Sequence, residues 1–167
     1  MSVRELMVAC DFSEPARRAV RLGLKLGAAL EARVSVVYVH SEPYGGRADM
    51  EAGLTGAQEG QTERYLRFLE LELQRFVHTV DPTAGERVRY LVRRGEPAAQ
   101  ISACANEIGA DLLCLGATGK GAMQRVLLGS VSERVLRDSL VPVLVVPSRA
   151  GERTDEIAAG ESSQGPA

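Results

Sequence analysis

Short, strongly apolar runs alternate along this chain with stretches whose apolar residues recur every three or four positions. Leu6–Cys10, Val34–Val39, Val88–Val92, Leu112–Leu115 and Val143–Val146 read as buried strands. Between the first two, Ala16, Ala19, Val20, Gly23, Leu26, Gly27 and Leu30 trace one face of a helix, with Arg17, Arg18, Arg21 and Lys25 largely on its other, solvated face. Leu66, Leu69, Leu73, Phe76, Val77 and Val80 signal a second helix, which Asp81-Pro82 ends because the residue before a proline avoids the α region. A third is expected from about Pro97 to Gly109 through Ala98, Ile101, Ala105 and Ile108, and a fourth from about Ser130 to Ser139. Apolar strands joined by amphipathic helices are the pattern of an α/β fold, a parallel sheet with crossover helices on its faces.

Composition narrows the picture. At 167 residues and 45% hydrophobic, the chain suits one core, and its formal net charge of -2 provides no field to hold it on nucleic acid or an anionic membrane. No apolar stretch approaches the ~20 residues that span a bilayer, and the N-terminus runs into a strand without a basic-then-apolar leader, so a cytoplasmic protein is expected. Cys10, Cys104 and Cys114 lie in apolar contexts without C-x-x-C spacing, and only His40 and His78 could complement them, so buried reduced thiols are expected rather than a zinc site. Residues 41–60, with five glycines, and the polar tail 148–167 offer too little apolar surface to offset their ordering entropy; a mobile loop beside the strand ends and a disordered tail are expected around a domain spanning 1–147.

The chemistry concentrates where the fourth strand ends. Gly116-Ala117-Thr118-Gly119 leaves the run Asp111–Leu115, and Gly129-Ser130 opens the helix that follows. Glycines after a buried strand permit positive φ and let backbone N–H groups approach an anion, while the next helix presents its unpaired first-turn N–H groups and positive dipole end. Ser130-Val131-Ser132-Glu133 also reads as a capping box with Ser130 as N-cap, and that use leaves other first-turn N–H groups for an anion. Asp11 reads either as a ligand-facing carboxylate or as a cap of the first helix in Asp11-Phe12-Ser13-Glu14-Pro15, where Ser13 stands nearer the usual N-cap position.

The spacing Gly116-x2-Gly119-x9-Gly129-Ser130, with Asp11 at the end of the first strand and the same order of elements up to about residue 147, resembles the nucleotide-binding branch of the universal stress protein family. The resemblance implies a Rossmann-like five-stranded sheet in the order 3-2-1-4-5, with the ligand at the switch point between strands 1 and 4. It implies binding of ATP, or of AMP or ADP, with Mg²⁺ or Mn²⁺. The implied contacts are Ala9, Cys10 and Leu115 lining the base pocket, the Val39 backbone at the adenine edge, Asp11 near the ribose or, through a metal, the phosphates, and Gly116, Gly119, Gly129 and Ser130 around the phosphates, with Phe12, Ser13, Ala117 and Val131 also touching the ligand. Asp11 is the implied metal contact through those phosphates. Thr118 departs from the histidine common in this family's loop, and Lys120 and Arg125 lie where they could screen phosphate charge.

No G-x-x-x-x-G-K-[ST] motif occurs, so the lysine and metal-binding hydroxyl of a P-loop nucleotidase are missing and slow or no hydrolysis is expected. The resemblance therefore implies a nucleotide-dependent sensor or regulator in stress response, acting through an unidentified protein partner. A weak ATPase or phosphotransfer protein is the first alternative. A flavodoxin-like cofactor module is the second, for which Phe12 and Tyr44 are the chief ring-stacking candidates. The fifth strand, Pro142–Val146, falls at a sheet edge in the implied order, and its uncharged, β-branched run predicts a homodimer formed there.

Overall fold

The computed structural model describes residues 2–41, 56–118 and 128–147. The elements run β1 (Glu5–Cys10), α1 (Glu14–Leu30), β2 (Arg33–His40), α2 (Gly56–Val80), β3 (Val88–Arg94), α3 (Pro97–Glu107), β4 (Leu112–Gly116), α4 (Ser130–Asp138) and β5 (Val143–Val146). All strand pairings are parallel, and the sheet order is β3-β2-β1-β4-β5, as the resemblance implied.

Where one core was expected, alternation along the strands sends side chains to both faces of the sheet and makes two. Leu6, Val8, Cys10, Val34, Val36 and Cys114 pack on one face with α1 and with Leu73 and Val77 of α2. Met7, Ala9, Val37, Val39, Leu113 and Leu115 pack on the other with α3 and with Val135 of α4. This is why β1 has no polar face: all six of its residues are buried, because a parallel sheet is covered by helices on both sides. The reversal of strand order between β3 and β4 moves the covering helices from one face to the other. It leaves the carboxyl ends of β1 and β4 adjacent, with connections departing in opposite directions.

Local chemistry sets the helix ends. Ser13 caps α1, its hydroxyl accepting from the Ala16 N–H at 3.2 Å, and Pro15 occupies the first turn, where a missing N–H costs nothing. Gly23 and Gly27 let α1 lie close on the sheet: a β-carbon at Gly23 would come within 2.4 Å of Val8 Cγ2, and one at Gly27 within 2.2 Å of Val34 Cγ2. Helix α2 ends at Val80, before Asp81-Pro82, and it starts at Gly56, so residues 56–60 of the stretch expected to be loop are helical. The rest of that loop, 42–55, and the tail 148–167 lie outside the described residues.

A buried carboxylate was not foreseen. Glu5 stands in the central strand at 6% exposure, where the Ser35 hydroxyl donates to it at 2.7 Å and Arg33 Nε pairs with it at 3.0 Å across the β1–β2 register. A short apolar run read from Leu6 onward starts one residue too late to include it.

Candidate functional site

Three segments converge at the carboxyl ends of β1 and β4. The first is the corner from Asp11 to Ser13. Asp11 Oδ1 accepts from the Ser13 N–H at 3.0 Å and from the Ser13 hydroxyl, while Ser13 caps α1, so the carboxylate is held at the corner without itself capping the helix. Phe12 makes the turn at φ +63°, in the left-handed region that costs a side-chain-bearing residue roughly 1–2 kcal/mol. Its ring is held by Tyr38 at 4.7 Å and edge-on by Phe76 at 5.4 Å, with the Arg17 guanidinium 4.7 Å from the Phe76 ring centre. Burial raises the pKa of the neighbouring Tyr38 hydroxyl, and the charges of Tyr65 and Asp11 push it further the same way.

The second segment is the end of β4. Gly116 was expected to supply conformational freedom for a turn, but it does not lie in the positive-φ region; what forbids a side chain here is α1. A β-carbon would sit 2.9 Å from both the carbonyl carbon and Cβ of Pro15, so Gly116 serves the close approach of helix to strand. Beyond it, the Ala117 N–H donates to the Val146 carbonyl at 2.8 Å, which ties this corner to β5.

The third segment is the start of α4. Gly129, not Ser130, is the N-cap, at φ -76° and ψ 156°, with no side-chain cap among the described residues; the expected capping box does not form. Ser130 is instead the first helical residue, and the Glu133 N–H donates to the Gly129 carbonyl at 2.9 Å. By helix geometry the N–H groups of Ser130, Val131 and Ser132 have no intrahelical acceptor and point off the end of the helix. The Gly129 N–H donates to the Ala117 carbonyl at 2.7 Å, and the Ser132 hydroxyl donates to the Gly116 carbonyl at 2.9 Å. These two bonds join the strand end to the helix start.

The structure thus brings together Asp11, Ser13, Gly116, Ala117, Gly129, Ser130 and Val131. Ala9, Val39 and Leu115 share the core on the α3/α4 side, with Val131 packed against it, whereas the Cys10 side chain belongs to the opposite core. The Cys10 side chain therefore does not line a pocket together with Ala9 and Leu115. The Phe12 ring is occupied in its aromatic cluster, which removes it as an open stacking wall. Gly119, Lys120, Arg125 and Tyr44 lie outside the described residues. Ser132 escaped the sequence reading, although its spacing from Val135 places a serine on the core-facing stripe of α4, where a buried hydroxyl needs an acceptor. A groove of about 740 Å³ at the amino ends of β1 to β3, lined by Glu5, Arg33, Ser35 and Arg89, lies at the other end of the sheet and has no part in this site.

An open parallel sheet covered on both faces, with a topological switch point, a glycine-bounded strand end and an uncapped helix start beside it, defines a Rossmann-like α/β domain. The family model for the universal stress protein family matches residues 2–147, and the chain belongs to that family. Universal stress protein MJ0531 of Methanocaldococcus jannaschii is 30% identical over 146 residues, which cover 86% of this chain and 81% of the relative. Among solved structures, hypothetical protein MJ0577 superimposes with a TM-score of 0.66 at 23% identity, covering 88% of this chain and 97% of that one. A universal stress protein in complex with cAMP does so with a TM-score of 0.61 at 23% identity, covering 89% and 99%.

Proposed function

We propose that this universal stress protein binds an adenine nucleotide, ATP foremost, at the β1/β4 switch point and acts as a nucleotide-dependent regulator with little or no hydrolysis. The observation that carries this reading is the joining of the first turn of α4 to the Gly116–Ala117 strand end, with the Asp11–Ser13 corner following the neighbouring parallel strand β1. Unpaired N–H groups at a helix start favour phosphate, and a carboxylate at the end of the first strand of such a fold accepts from ribose hydroxyls. Ala9, Val39 and Leu115 offer an apolar floor for a base. A universal stress protein of the same fold in complex with cAMP gives this ligand class a precedent.

Mg²⁺ or Mn²⁺ would come with the nucleotide. No three metal-ligating side chains gather among the described residues, so an ion at Asp11 would take the rest of its shell from phosphate oxygens and water, as Mg²⁺ commonly does. The ion would neutralise phosphate charge beside the Asp11 carboxylate. The protein's own groups bind and orient: the α4 amides hold the phosphates, and the Asp11–Ser13 corner holds the ribose end.

The domain would act as a cytoplasmic homodimer joined through the β5 edge, with a protein partner reading the nucleotide state. Leu140, 87% exposed, adds apolar surface just before that strand. Calorimetry of the full chain with ATP and Mg²⁺ tests the central statement. Binding that is lost in Gly119→Val and weakened in Asp11→Ala supports it; a folded wild type that does not bind at millimolar ATP refutes it. Release of a stoichiometric adenine nucleotide from protein purified without added ligand would identify the species by mass.

A further inference from the structure

Ser132 stands outside the glycine signature, yet its side chain joins two halves of the site. It is 5% exposed, and its hydroxyl donates to the Gly116 carbonyl at 2.9 Å, across the gap between the end of β4 and the first turn of α4. The Gly129 N–H to Ala117 carbonyl bond runs beside it at 2.7 Å. One bond is made by main chain and survives substitution at position 132; the other depends on this hydroxyl alone.

We propose that Ser132 is a positioning residue for phosphate recognition, a role that rests on the nucleotide reading above. Two physical effects support it. The bond fixes the direction of α4 relative to the strand end, and with it the aim of the Ser130 and Val131 N–H groups. It also engages the carbonyl oxygen of Gly116, a negative dipole end close to where phosphate oxygens would gather. Without the hydroxyl that oxygen loses this donor and turns more negative potential toward an incoming anion, while the apolar side chains of Ala9, Val39 and Leu115 are untouched. A hydroxyl with only a structural role would affect all ligands of the site alike; a positioning role shows in the phosphate-bearing ones.

The test compares wild type with Ser132→Ala in the full chain. ATP with Mg²⁺ is titrated by calorimetry, and adenosine is measured by displacement of a fluorescent ATP analogue. Circular dichroism melts set the assay temperature where both proteins are folded. The Kd for ATP is expected to rise roughly five- to tenfold, as for one lost neutral hydrogen bond, with adenosine affinity unchanged. Equal ATP affinity in the two proteins, or a parallel loss of ATP and adenosine affinity, overturns the proposal. A wild type that binds no ATP sinks the nucleotide reading instead, so the two failures are distinguishable.

Discussion

Replacing Gly116 with alanine asks whether the strand end at the site is shaped by turn flexibility or by the approach of α1. The new β-carbon would lie 2.9 Å from the Pro15 carbonyl carbon, 2.9 Å from its Cβ and 3.0 Å from its oxygen. Carbon atoms rest at roughly 3.5–4.0 Å, so α1 and β4 must separate by something over half an ångström. The atoms in the way are helix backbone and a proline ring, which cannot rotate aside as a long side chain would. Overpacking of this kind costs about 1–3 kcal/mol. Alanine also restricts the unfolded chain and, where φ is not positive, that stabilises by about 0.4–1 kcal/mol, leaving a net loss of roughly 1–2 kcal/mol. For a domain of this size each kcal/mol shifts Tm by about 2–4 °C, so a fall of about 2–8 °C is expected in a thermal melt followed by circular dichroism. Because Pro15 follows the Asp11–Ser13 corner, ATP affinity should fall in the same variant. An unchanged or raised Tm would show the unfolded-state gain acting alone, and the close-approach argument would be wrong.

Three further outcomes follow from other parts of the molecule. Asp111 accepts from the Arg4 and Glu5 N–H groups at 2.8 and 3.0 Å, and these bonds lower its carboxyl pKa; a depressed folded-state pKa gives stability that is present above the ordinary value and lost as pH falls through the folded one. Asp111→Asn should therefore be less stable than wild type at neutral pH, with the gap in Tm closing below about pH 4, and a gap that stays constant to pH 3 would refute this. All three cysteines are buried and outside any disulfide, and burial pushes the Cys114 thiol up to about 12, so a thiol-reactive disulfide reagent at pH 8 should label none in the native protein and three after denaturation; labelling of the native protein would contradict the burial. Val145→Lys puts a charge on the middle of the proposed dimer edge at a half-buried position, and sedimentation should show a weakened dimer; a wild-type monomer, or a variant that dimerises equally well, would remove β5 as the interface.

Element types and sequence order were legible from the chain because they depend on local periodicity. The runs from Leu6, Val34 and Val88 could only be buried strands, and the three-and-four spacing from Ala16 to Gly27 could only be a helix with one face on a sheet, although Leu30, read on that face, is exposed. Strand order came from the glycine spacing through family resemblance, since no local pattern records which strands lie side by side, and the observed sheet matches it. What the tertiary structure decided were matters of contact between residues far apart in sequence. Gly116 is required by Pro15 about a hundred positions earlier, Glu5 is accommodated by Arg33 and Ser35, and Ser132 is explained by the Gly116 carbonyl. The helix cap moved from Ser130 to Gly129 for the same reason: the chain entering α4 is held by its bond to Ala117, which sets the entry angle before any side chain can cap it. Local propensity chooses among conformations of nearly equal energy, whereas close packing and buried hydrogen bonds exclude all but one of them.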